Sequence, residues 1–123
     1  MNETNSALLL FAHGSSDPGW AAPFVKLRTE IERREPQRRV ALAFLERMQP
    51  SFEESVAALH AEGIKSITVA PIFLAIGGHM RNDLPKLIED MQQKTGIAFQ
   101  VLPTLGEVDS LIESIADWVC AQQ

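Results

Sequence analysis

Short apolar runs of strand length alternate with stretches of helical spacing along this chain, and few architectures accommodate that pattern. The runs are Ala7-Leu8-Leu9-Leu10-Phe11-Ala12, Val40-Ala41-Leu42-Ala43-Phe44-Leu45, the stretch from about Ser66 to Ala70, and Ala98-Phe99-Gln100-Val101-Leu102. Consecutive apolar residues, rather than alternate ones, mark strands covered on both faces. This is the signature of a parallel sheet between layers of helix.

The intervening segments supply those layers. Trp20, Phe24, Leu27 and Ile31 recur at spacings of four, three and four, so a first helix buries them on one face and stops before Pro36. Ser51 with Glu54 three residues later forms a capping box, Phe52, Val56 and Leu59 mark the inward face, and Gly63 ends that helix. Asn82 or Asp83 is expected to cap a third helix, lined by Leu84, Leu87, Ile88 and Met91 and ended by Gly96. Leu111, Ile112, Ile115, Trp118 and Val119 are expected to pack the last one.

Four strands and four helices without a repeat or linker predict one α/β domain over residues 1–123, with the first five residues flexible. The fold expected is a doubly wound, flavodoxin-like four-stranded parallel sheet with helices on both faces, in strand order 2-1-3-4. In that order strands 1 and 3 are neighbours at the switch point, where ligands bind beyond the strands' carboxyl ends.

Composition narrows the function. A chain of 123 residues with 46% hydrophobic residues is an ordinary globular protein, and its net charge of −5 argues against nucleic-acid binding. The single cysteine, Cys120, offers neither an internal disulfide nor a thiolate metal site. Residues 1–6 carry no basic stretch, and the apolar run after them is too short for a signal or a membrane span, so the expected location is cytoplasmic, with no membrane partner.

Chemistry concentrates at the strand ends. His13 follows the first strand in His13-Gly14-Ser15-Ser16, Glu46 ends the second, and His79 follows the third in Gly77-Gly78-His79, which reads as a small-residue loop. Imidazole suits divalent first-row metals, and a carboxylate adds a hard oxygen. These three can form a metal or proton-transfer site with open positions, or each histidine can simply hydrogen-bond in its loop. Gly14-Ser15-Ser16 reads as a phosphate-type turn before a helix, while Arg47, Arg81 and Lys86 can meet an anionic ligand at the same edge. His60, inside the second helix, reads as solvated or interacting with the helix dipole. Ile72-Phe73-Leu74-Ala75-Ile76 exceeds what the strand needs and reads either as core or as an apolar wall or subunit contact. GxGxxG, GxxxxGK[ST] and GxSxG are absent, which argues against dinucleotide, nucleoside-triphosphate and serine-hydrolase chemistry.

His13-Gly14-Ser15, Phe44-Leu45-Glu46, Gln49-Pro50-Ser51, Pro71-Ile72-Phe73-Leu74 and Gly78-His79-Met80-Arg81-Asn82-Asp83-Leu84-Pro85 together resemble the short, single-domain sirohydrochlorin cobaltochelatases of the class II chelatase superfamily. The resemblance implies insertion of Co²⁺, or of Fe²⁺ or Ni²⁺ as in related enzymes, into the tetrapyrrole sirohydrochlorin in cobalamin or siroheme biosynthesis. The metal is then a substrate and no cofactor is permanently bound. The resemblance implies that His13, Glu46 and His79 are catalytic and hold the metal, and that two subunits build the cleft as a homodimer. Gly14, Ser15, Ser16, Arg47, Gly78 and Arg81 are the candidate substrate-binding positions, with Ser16 standing where many members carry arginine. The competing expectation is a non-enzymatic flavodoxin-like module that binds a small anion or delivers a metal.

Overall fold

The computed structural model describes residues 5–122. Its elements are β1 (Ser6–Ala12), α1 (Ala22–Arg34), β2 (Arg39–Phe44), α2 (Phe52–Ala61), β3 (Ser66–Pro71), α3 (Gly78–Thr95), β4 (Ala98–Val101), a 3₁₀ turn (Leu105–Glu107) and α4 (Asp109–Cys120). The four strands are parallel in the order β2-β1-β3-β4, with Leu9 opposite Ala41 on one side and Val69 on the other. The expected α/β architecture and strand order are those observed.

Central strand β1 explains why the sheet needs two layers. Leu9 and Phe11 point into a core shared with Phe52, Val56 and Leu59 of α2 and Leu84, Ile88 and Met91 of α3. Leu8 and Leu10 point the opposite way, into a second core with Val40 and Leu42, against which Phe24 and Ile31 of α1 pack. Fully burying side chains of this kind contributes on the order of 1.5–3 kcal/mol each. The α2 start follows the sequence: Ser51 Oγ accepts from the Glu54 N–H at 3.1 Å, and the Glu54 carboxylate accepts from the Ser51 N–H at 2.7 Å. Gly63 (φ 91°) and Gly96 (φ 75°) take the left-handed conformation that ends α2 and α3.

Three local expectations are corrected. Helix α3 begins at Gly78 with Gly77 as its cap, so Asn82 and Asp83 lie inside it and His79 belongs to its first turn rather than to a loop. Gly77 caps through an extended backbone (φ −79°, ψ 172°) without a side-chain bond, a start that no Ser, Thr, Asp or Asn announces. Pro85 lies inside the helix, where it has no N–H to donate to the Arg81 carbonyl. Gly14-Ser15-Ser16 does not open a helix, because a turn through Asp17–Ala21 separates it from α1, and Trp20 precedes the helix it was expected to join.

The third correction concerns α4. None of its residues is buried, and Leu111, Ile112, Ile115, Trp118 and Val119 are all exposed, Trp118 by 67%. Among the described elements its one substantial neighbour is the 3₁₀ turn. The sheet face on α1's side correspondingly lacks a helix over β3 and β4, leaving Thr68 and Ala70 half-buried and Gln100 and Leu102 exposed. The expectation of a flexible start falls on residues 1–4, which lie outside the described residues, while the Asn5 carbonyl accepts from the Lys65 N–H at 2.7 Å. Among the described residues no helix is long and apolar enough to cross a membrane.

Candidate active site at the carboxyl edge of the sheet

The ends of β1 and β2 are locked together before any side chain is considered. The Leu45 N–H donates to the Ala12 carbonyl at 2.8 Å, extending the ladder past the strand ends. Gly14 then packs so closely on Glu46 that a Cβ there would lie 1.7 Å from the Glu46 carbonyl oxygen. Only glycine fits, and the approach brings His13 beside the Glu46 side chain.

His13 Nδ1 stands 3.4 Å from Glu46 Oε1, long for a charge-assisted hydrogen bond, so the pair meets without being clamped. The His13 ring rests on Phe73, with centroids 4.6 Å apart, and Phe73 in turn packs edge-on against Phe11 in the core. The Trp20 indole N–H donates to the His13 carbonyl at 2.7 Å, which fixes the backbone on the other side. The imidazole is thus held by aromatic packing and a backbone anchor, while its polar edge remains half in water.

His79 reaches the edge from α3. Its Nε2 lies 2.8 Å from Asp83 Oδ2, one helical turn on, and its side chain is 94% exposed. Glu46 and His79 line one open groove of about 730 Å³ together with Glu53, Asp83, Asp90, Met80 and Lys86, among others. That volume lies within the usual range for small-ligand sites. Four carboxylates against one lysine give the groove a negative field suited to a cation. Leu45, Leu84 and Leu87 add the apolar wall.

The expected triad is therefore divided: His13 pairs with Glu46, His79 pairs with Asp83, and Glu46 and His79 face the same groove. Among the described residues, no group of three His, Cys, Asp or Glu side chains is close enough to hold a metal as it stands. The remaining candidates scatter along the rim. Ser15 Oγ accepts from the Asp17 N–H at 3.0 Å, Ser16 and Gly78 are exposed, and Arg47 follows Glu46 in a left-handed conformation (φ 67°). Arg81 donates to the Ile76 carbonyl at 3.3 Å and lines a second cavity of about 600 Å³ with Thr104 and Glu107. In the Ile72–Ile76 segment Phe73 is core and Leu74 is exposed, so it is partly each of the two things expected. Glu53 and Asp90 are not marked by the sequence, and Asp83, expected as a helix cap, lines the groove instead. The four-residue spacing of His79 and Asp83 pairs them only once α3 starts at Gly78.

Comparison with known proteins places this geometry in a family. The CbiX family model matches residues 7–121, from the first strand into the last helix. A sirohydrochlorin cobaltochelatase from Methanothermobacter thermautotrophicus is 35% identical over 81 residues, covering 66% of this chain and 56% of its own. The chain thus spans little more than half the length of that relative. A shorter sirohydrochlorin cobaltochelatase, from Sulfurisphaera tokodaii, is 27% identical over 112 residues, covering 91% of this chain and 89% of its own. The crystal structure of a CbiX protein from Marinobacter aquaeolei VT8, assigned to cobalamin (vitamin B12) biosynthesis, superposes with a TM-score of 0.84 at 32% identity over 95% of this chain and 96% of that one. With the family pattern running through nearly every element and a structural counterpart of matching length, the chain belongs to the CbiX family.

Proposed function

We propose that this protein inserts a divalent metal, Co²⁺ foremost and Fe²⁺ or Ni²⁺ as alternatives, into sirohydrochlorin. The observation that carries the reading is the convergence of Glu46, already beside His13, with His79 on one acidic, partly apolar groove at the carboxyl edge of the sheet. The sirohydrochlorin cobaltochelatases among the chain's relatives support the choice of macrocycle.

The reaction exchanges one M²⁺ for two pyrrole N–H protons, so it needs a base, a weak metal site and an apolar seat for the ring. His13 and His79 act as ligands and bases, and Glu46 offsets the metal's charge or relays protons. Exposed side chains, two of them histidines, hold an ion loosely enough to give it up. Leu45, Leu84 and Leu87 seat the macrocycle, and binding favours a ring distorted toward the metal over a flat one. The substrate's carboxylates are left to the rim, where Arg47, Arg81, Gly78 and the Gly14-Ser15-Ser16 turn are available away from the acidic wall.

The working unit in this proposal is a cytoplasmic homodimer of single chelatase domains. The exposed apolar face of α4 and the uncovered sheet face over β3 and β4 support it, since a second copy can offer each what the protomer's own packing does not.

An anaerobic absorbance assay with sirohydrochlorin and Co²⁺ tests the activity. His79→Ala and His13→Ala should slow insertion by about 10²-fold with little loss of stability, the scale of acid–base contributions at an exposed site. Glu46→Gln should slow it while keeping the shape. A metal-delivery protein would bind Co²⁺ and leave the tetrapyrrole spectrum unchanged. Insertion by His79→Ala at the parent rate would overturn the site assignment.

A further inference from the structure

His79 has a peculiarity that the metal reading does not use. An imidazole that is 94% exposed has no packing to fix its plane, yet its Nε2 meets Asp83 Oδ2 at 2.8 Å. That contact exists because α3 starts at Gly78, which puts residues 79 and 83 one turn apart on the groove side. A carboxylate only accepts and repels an imidazole lone pair, so a neutral His79 in this contact favours the proton on Nε2 and the electron pair on Nδ1.

His13 is presented the other way round. Its Nδ1 is the nitrogen turned toward Glu46, which leaves Nε2 outside that contact. The two histidines therefore offer opposite ring nitrogens. At His79 the choice depends on one side chain.

We propose that Asp83 is a positioning residue for metal insertion: it selects the Nε2–H tautomer of His79 and holds the ring so that Nδ1 is the nitrogen offered to the incoming cation. The inference rests on the reading of His79 as a ligand. A carboxylate that orients a ligating imidazole fixes its tautomer and raises its donor strength, and losing one generally weakens metal affinity or activity by 10–100-fold.

The test compares Asp83→Ala, His79→Ala and the double variant by Co²⁺-dependent insertion kinetics, with ¹⁵N spectra of the His79 ring in its neutral form. Asp83→Ala should raise KM for Co²⁺ by about tenfold or more, affect kcat less, and turn a single His79 tautomer into a mixture, with the unfolding midpoint unchanged. The double variant should be no slower than His79→Ala alone, because Asp83 acts through that ring. Two results would overturn the proposal: an unaltered tautomer and KM in Asp83→Ala, or a double variant slower than His79→Ala by the full Asp83 factor. Normal insertion by His79→Ala would instead remove the underlying reading, so the two failures are distinguishable.

Discussion

Gly14 lies so close to Glu46 that its two hydrogens occupy the only space between the β1 loop and the Glu46 carbonyl, where a methyl group would stand 1.7 Å from the oxygen. The obstacle is backbone, so no side-chain rotation relieves it. Gly14→Ala must push the β2–α2 loop away from β1, separating His13 from Glu46. We expect a loss of about 1–3 kcal/mol, as for other overpacked sites, and a fall in insertion rate larger than the stability change alone would cause. Thermal unfolding and the absorbance assay on the same preparation check both. Parent stability would mean that the loop yields freely.

Replacing the apolar face of α4 with charge tests the homodimer. Ile115 and Trp118 are 45% and 67% exposed in the protomer, so Ile115→Glu with Trp118→Glu disturbs neither core. Light scattering at micromolar concentration should give a dimer mass for the parent and a monomer mass for the variant, with circular dichroism unchanged. A variant that stays dimeric places the contact elsewhere, and a parent that is monomeric with and without substrate ends the two-subunit cleft.

Acid should weaken the turn that leads into α4. The Glu107 carboxylate accepts from Thr104 Oγ1 at 2.7 Å and from the Thr104 N–H at 3.1 Å. These bonds, the side-chain one foremost, hold its pKa below the ordinary 4.5. A carboxyl whose folded pKa is depressed contributes fully above its unfolded value and loses that contribution as pH falls through the folded one. Parent and Glu107→Gln should therefore differ in thermal midpoint near neutral pH and converge as pH falls below the ordinary 4.5 and through the lowered folded value. A gap that persists in acid would show that the carboxylate's charge is not what the turn uses.

The legible parts of this protein were those governed by local chemistry or by burial on both faces. Consecutive apolar residues announced β1 and β2, and the Ser51–Glu54 box and the Gly63 and Gly96 stops stand in the sequence as they stand in the fold. The strand order brought His13 beside Glu46, and that too was readable, because both sit at the ends of neighbouring strands. The start of α3 was not, since Gly77 caps with backbone alone and the polar residues that resemble caps lie inside the helix. That hid the His79–Asp83 pair. The packing expected of Leu111, Ile112, Ile115, Trp118 and Val119 in α4 is absent within the protomer, because periodicity says only that one face avoids water and not which surface provides the cover.

The 3₁₀ turn gives that last helix a mechanical reach. The Leu105 N–H donates to the Phe73 carbonyl at 2.9 Å and the Gly106 N–H to the Leu74 carbonyl at 2.8 Å, and Gly106 is packed so that a Cβ would lie 2.2 Å from the Leu74 oxygen. The stalk of α4 is thus riveted to the very residues from which the chain runs through Ala75 and Ile76 to the cap of α3. A partner that binds α4 at the periphery of the molecule would therefore seat on an element fastened by two backbone bonds to the strand end that leads into α3.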